Sequence, residues 1–181
     1  MIHPEKLTIK TQEALQNAQS LALDYKHQEL NPLHILEALL TVPDTAIIPI
    51  LQKLNVSHET LLIVTQKALK EAPTVSQPSQ VYLAVSTNSV FQNAQKEADK
   101  LDDKYISLEH LLLALSSDSS PAGKLLKAEG IKKESLLKAL DQIRGSSKVD
   151  SQNPEDTFQA LEKYTIDLTD RARTGKLDPV I

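Results

Sequence analysis

The chain has 181 residues, a formal net charge of −4, four glycines, no cysteine and only 3% aromatic residues. So few glycines and aromatics exclude a β-sandwich or barrel, and Gly123, Gly130, Gly145 and Gly175 stand alone rather than in a phosphate-cradling loop. The missing cysteines remove disulfides, thiolate metal sites and a cysteine nucleophile, and they fit a reducing compartment. Runs such as Ala46 to Leu51 are far shorter than the roughly 18 apolar residues that cross a membrane, and no basic stripe for nucleic acid appears. The class that remains is a soluble, cytoplasmic, all-α protein with neither nucleic acid nor membrane as partner.

A first helix is predicted where Ala14, Leu15, Ala18, Leu21, Ala22 and Tyr25 recur three and four apart. A second starts at Asn31 and Pro32, an N-cap followed by a residue with no N–H to leave unpaired, and it buries Leu33, Leu36, Leu39 and Leu40. A short third helix covers about 46–54, with Asn55 as a left-handed stop. A fourth follows Ser57 and carries Leu61, Leu62, Ala68 and Leu69. The stretch 72–80 holds Pro73 and Pro78 among polar residues and reads as a loop.

The pattern then begins again. Gln16-Asn17-Ala18-Gln19 recurs as Gln92-Asn93-Ala94-Gln95, and sliding 6–40 onto 82–116 gives eleven identities in thirty-five, His34 with His110 and Leu36 with Leu112 among them. Average residue usage yields roughly two or three. The counterpart helices carry Val90, Phe91, Ala94 and Ala98, then Leu108, Leu111, Leu112 and Leu115 after Ser107. A short helix follows from Ser120-Pro121 to Glu129, with Gly130 as stop, and a last one carries Leu136, Leu137, Leu140 and Ile143. Two pseudo-repeated four-helix units of about eight helices, at about 1–72 and 80–144, therefore form a domain over 1–144. The segment 145–152 has no apolar periodicity and reads as a flexible linker. Asn153-Pro154-Glu155-Asp156 opens one extra C-terminal helix within 153–181.

No catalytic constellation is visible. The five histidines lack the spacing of a metal-binding helix. His34 and His110 read as polar contacts at helix starts, and Asp102-Asp103 as a solvated turn.

The motifs Asn31-Pro32-Leu33-His34-Ile35-Leu36 and Ser107-Leu108-Glu109-His110-Leu111-Leu112-Leu113 resemble the double Clp N-terminal repeat of the Clp ATPase family. The tail, Lys163-Tyr164-Thr165-Ile166-Asp167-Leu168-Thr169-Asp170-Arg171-Ala172 with Gly175-Lys176-Leu177-Asp178-Pro179-Val180-Ile181, resembles the start of the first ATPase module of ClpB-type disaggregases. That resemblance implies a non-enzymatic, substrate-binding N-terminal domain. Its parent would be a stress-induced homohexameric ATPase that uses ATP and Mg and works with a DnaK-type chaperone system on unfolded or aggregated polypeptides. The alternative is an adaptor-docking domain of a ClpA/ClpC-type unfoldase that feeds a protease.

Family residues linked to chaperone activity match Thr8, Asp103 and Glu109, which also suit capping roles. Positions 93, 97 and 110, which can be leucine in an apolar groove of the family, are Asn93, Glu97 and His110 here. The remaining apolar candidates for polypeptide contact are Tyr82, Leu83, Val85 and Leu108.

Overall fold

The structure, a computed structural model, describes residues 3–76, 78 and 80–154. Eight α-helices run through the described residues: α1 (Ile9–Asp24), α2 (Pro32–Thr41), α3 (Ile47–Lys53), α4 (His58–Lys70), α5 (Val85–Lys100), α6 (Leu108–Ser117), α7 (Pro121–Ala128) and α8 (Lys133–Arg144). A 3-10 turn, Pro4–Lys6, precedes them. The helix expected at 153–181 lies outside the described residues beyond Pro154. The two sets of four follow the same order, and Gln16 and Gln92 are each the eighth residue of their helix.

Local chemistry sets the boundaries. Asn31 Oδ1 accepts the Leu33 N–H at 2.9 Å, and Pro32 follows in the first turn of α2. Ser57 and Ser120 cap α4 and α7 with their hydroxyls. Four helices end in the same way. Lys26, Asn55, Asp102 and Gly130 take positive φ, and the next N–H reaches back to the carbonyl five residues earlier: His27 to Ala22, Val56 to Leu51, Asp103 to Ala98, Ile131 to Leu126. This Schellman turn satisfies the end carbonyls and folds the residue after it back toward the helix. Asn55 and Gly130 are the usual residues for that conformation; Lys26 and Asp102 adopt it without being asked by composition.

The centre of the domain is the pair α2 and α6. Every residue from Pro32 to Leu40 and from Leu108 to Ser116 is buried. Helices apolar on all sides are stable only when covered on all sides. α1 and α4 cover α2, α5 and α8 cover α6, and α2 also touches α6 and α7 from the other repeat. One apolar core thus runs through both repeats, from Leu36 and Leu39 to Leu112 and Leu115.

Backbone pairing interlocks the repeats. β1 (Glu29–Leu30), which leads into α2, pairs in parallel with β2 (Tyr82–Leu83), which leads into α5. Leu7, just before α1, pairs in parallel with Ile106, just before α6. The strand ahead of the first helix in each repeat therefore bonds to the strand ahead of the second helix in the other. Such two-residue pairings leave too little alternation to be read from sequence, and Tyr82 and Leu83 sit at the edge of the expected loop.

The segment 145–152 differs from the linker expected there. Val149 is fully buried, and the Gln152 carbonyl accepts the Ile9 N–H at 2.8 Å. A single apolar residue held by backbone hydrogen bonds produces no periodicity to detect.

Because each repeat lends its partner a strand and a face for a fully buried helix, neither stands alone. Fragments 1–78 and 79–154 should each show weak helicity by circular dichroism and no cooperative melt, and mixing them should restore both. A sharp melt from either fragment alone would contradict the interlock.

Candidate functional site

α2 and α6 start inside the core, so their first N–H groups cannot turn to water. Each start is closed by a capping box whose third residue is histidine rather than the usual Glu or Gln. His34 Nδ1 accepts the Asn31 N–H at 3.0 Å, and His110 Nδ1 accepts the Ser107 N–H at 3.0 Å. An accepting Nδ1 in a neutral ring places the proton on Nε2. That N–H then points at the residue after the preceding Schellman turn. In the first repeat His34 Nε2 donates to His27 Nδ1 at 2.8 Å; in the second, His110 Nε2 donates to Asp103 Oδ2 at 2.9 Å. The same slot holds a histidine in one repeat and an aspartate in the other.

The two choices have opposite electrostatics. His27 Nε2 is buried without a well-formed hydrogen bond, and the Ala72 backbone only partly offsets the burial of the ring. Burial, together with the charge of His27, pushes the His34 imidazole down to about 4, against a favourable contact with the Asn31 backbone; burial also lowers His27. Asp103 is charge-compensated. Burial alone would raise its carboxyl, but hydrogen bonds from His110, Arg144 and the Val149 N–H outweigh it and hold the group well below the usual carboxylate range. Arg144 Nη2 donates to Asp103 Oδ1 at 2.7 Å, as does the Val149 N–H at 2.7 Å.

These positions revise several sequence-based candidates. Asp103 is not in a solvated turn: the Schellman turn carries it inward, 6% exposed, and only Asp102 faces solvent. Thr8 is fully buried and caps α1, its Oγ1 accepting the Thr11 N–H at 3.2 Å and lying 2.8 Å from Thr11 Oγ1. Leu108 opens a helix buried on all sides and is core. Glu109, in the first turn of α6 where the helix dipole supports a negative charge, is also buried, and its Oε1 has no hydrogen-bond partner. His27 was missed, although it stands 76 residues before Asp103 just as His34 stands before His110. Arg144 carried no signal, since a basic residue in a last helical turn is ordinary.

Asn93, Glu97 and His110 do not form an open groove. Glu97 is buried between Lys133 of α8 at 2.7 Å and Lys100 at 2.9 Å. Burial opposes its ionisation and the two lysines prevail, lowering its carboxyl. Asn93 accepts a hydrogen bond from Lys96 at 3.3 Å.

Exposed apolar surface gathers elsewhere. Tyr82, Leu83 and Val85 are 53, 43 and 83% exposed. From Val85, positions 88, 92 and 95 follow on the same face of α5. Asn88, Gln92 and Gln95 line an open cleft of about 390 Å³ with Leu7, Phe91 and Ile106 beside them. Val85 and the cleft residues thus share one side of α5, over a length of roughly 15 Å at 1.5 Å per residue, with Tyr82 and Leu83 on the strand just before it. No group of three or more potential metal ligands occurs among the described residues, and no helix there is long and apolar enough to cross a membrane.

Two interlocked four-helix repeats around a single core define an all-α double-repeat domain. The chain belongs to the Clp repeat (R) N-terminal domain family, whose model matches residues 6–129. It is 42% identical over 180 residues to the chaperone protein ClpB of Bacillus cereus and 43% identical over 178 residues to that of Vibrio vulnificus. These alignments cover 97 and 98% of this chain but only 21% of each relative, so the chain spans about a fifth of their length. Among solved structures, the Hsp104 N-terminal domain of Candida albicans matches with a TM-score of 0.73 and 22% identity, covering 83% of this chain and 99% of that one. A complex of the ClpV N-domain with VipB peptide matches with a TM-score of 0.62 and 21% identity, over 79 and 89% of the two chains. Both likenesses show the shared fold.

The His27–His34 pair makes the first repeat sensitive to acid. The unfolded chain protonates His34 near 6.5 and the folded one near 4, so stability is full above pH 6.5 and falls as pH drops through that window. The loss amounts to about 3 kcal/mol at 1.4 kcal/mol per unit. His27→Asp recreates the slot of the second repeat, and a carboxylate there favours the protonated imidazole. Thermal melts between pH 7 and 4 should show a falling midpoint for the native chain and a flat or reversed trend for the variant. A parallel fall in both would assign the effect to other groups.

Proposed function

We propose that this domain binds unfolded or aggregated polypeptide, weakly and with little sequence preference, for an ATP-driven chaperone of the ClpB kind. The observation that carries the reading is the exposed apolar group Tyr82, Leu83 and Val85 at the start of α5, with the cleft beside Phe91 further along the helix. Solvent-facing apolar side chains in a row mark a binding surface. The ClpV N-domain, of like fold, was solved with a peptide, which supports peptide capture as a use of this architecture.

In this reading, nucleotide hydrolysis with ATP and Mg belongs to other modules of a longer, homohexameric parent. The parent works in the cytoplasm beside a DnaK-type chaperone system. The ClpB names of the relatives favour disaggregation over the adaptor-docking alternative.

The surface limits the affinity. Covering about 200–300 Å² of apolar area gains roughly 5–7 kcal/mol at 25 cal/mol per Å². Ordering a flexible peptide offsets much of this, so a dissociation constant of tens of micromolar or weaker follows. Weak capture suits a device that must accept and then release many sequences.

Fluorescence anisotropy with a reduced and carboxymethylated, permanently unfolded protein tests the reading. Tyr82→Ser with Val85→Asp should weaken binding at least fivefold at an unchanged melting temperature, because both side chains face solvent. Wild-type affinity in the double variant, or no binding by the native chain at several hundred micromolar, would defeat it.

A further inference from the structure

We infer that Asp103 is a positioning residue that clips the segment 145–152 onto the domain, and so sets where the chain leaves it. This does not rest on the polypeptide-binding reading.

The Asp103 side chain is wholly buried, and its carboxylate joins three separate elements: His110 of α6, Arg144 at the end of α8, and the backbone of Val149. Val149 is gripped on both sides. Its N–H donates to Asp103 Oδ1, and its carbonyl accepts the N–H groups of Lys104 and Tyr105 at 3.1 and 3.3 Å. Its side chain is fully buried as well. Arg144 extends the clip, because Nη2 and Nε donate to the Ser147 carbonyl at 3.0 and 3.2 Å while the Ser147 N–H returns to the Arg144 carbonyl. Lys148 pairs with Asp102, and Lys104 with Asp150 at 3.7 Å. Beyond the clip, the Gln152 carbonyl accepts the Ile9 N–H at the start of α1.

The segment therefore crosses from the last helix of the second repeat to the first helix of the first. Only one of its side chains, Val149, is fully buried, so its hold depends on backbone bonds, and Asp103 is where those bonds meet a charged acceptor. Charge-assisted bonds to a buried carboxylate are stronger than neutral ones. Without the carboxylate, the Val149 N–H and Arg144 lose their common partner. Releasing eight residues adds roughly 26–29 Å of extended reach at 3.3–3.6 Å per residue. A substitution at Asp103 then changes how far the domain ranges from whatever follows it, with no contact between Asp103 and any polypeptide.

The test uses the whole chain, 1–181, in native form, as Asp103→Asn and as Val149→Ser. The second variant attacks the clip from the segment side and leaves the Asp103, His110 and Arg144 side chains in place. Two readings are taken at pH 7: the rate of trypsin cleavage after Lys148, and amide exchange by mass spectrometry. Both variants should cleave at least tenfold faster after Lys148. Exchange at 147–149, Lys104 and Tyr105 should rise at least tenfold, while the amides of α6 stay within twofold. Either of two results overturns the proposal. One is wild-type cleavage in Asp103→Asn. The other is a rise in α6 exchange that matches the rise in 145–152 in both variants, which would make the effect a general loss of fold.

Discussion

Two helices begin where water cannot reach them. The first turns of α2 and α6 lie inside a shared apolar core, and a buried helix start must find acceptors for its N–H groups within the protein. Much of the polar interior follows from that requirement. Histidine at the third helical position supplies an acceptor, and the use of Nδ1 for that purpose fixes the proton on Nε2. The Nε2–H group then needs its own acceptor. The Schellman turn of the preceding helix delivers one by folding residue 27 or 103 inward. Where that acceptor is Asp103, its charge calls for a cation, which Arg144 provides, and Arg144 in turn organises the segment after α8. Where it is His27, no carboxylate is buried, and the segment after α4 meets the turn through the Val75 N–H on the Lys26 carbonyl instead. Two nearly equivalent repeats thus acquire different properties from one residue in one slot.

The sequence was most legible where a residue type has a single local use. Asn31-Pro32, Ser120-Pro121, Asn55 and Gly130 mark helix ends through capping, a fixed φ or a tolerated positive φ, and the helices start and stop beside them. The offset between Gln16 and Gln92 carried the two-unit architecture, since identical polar residues on exposed or half-exposed helix faces are not demanded by packing. Asp103 was placed in a solvated turn because Asp102-Asp103 carries no glycine to mark the left-handed residue through which the chain turns inward, although Asp102 tolerates that conformation. Leu108 stood both among the apolar positions of its helix and among the contact candidates, and it lies in the core because α6 has no exposed face. The strand exchange and the clip involve backbone atoms over two or three residues, and backbone bonds leave little trace in side-chain pattern.

Thr8, Asp103 and Glu109 lie inside the domain rather than on its surface. All three are buried, and two have their polar atoms committed to caps or ion pairs. Substituting them disturbs the start of α1 or the end of α8 before it disturbs any surface. Glu109 is the least settled of the three in energy, since one carboxylate oxygen is buried without a hydrogen bond and the dipole of α6 is its evident support.

Polar residues at 93, 97 and 110 redistribute the surface. An apolar side chain at 97 would leave α5 and α8 joined by packing; here Glu97 joins them through Lys133, and the partly buried lysine and buried carboxylate are taken out of circulation. His110 is consumed in the same way by Ser107 and Asp103. What remains apolar and open lies at the opposite end of α5, at Val85 and the adjoining Tyr82 and Leu83 of the strand that the second repeat lends to the first. A bound chain would lie beside β2, whose pairing with β1 is also what joins the two repeats.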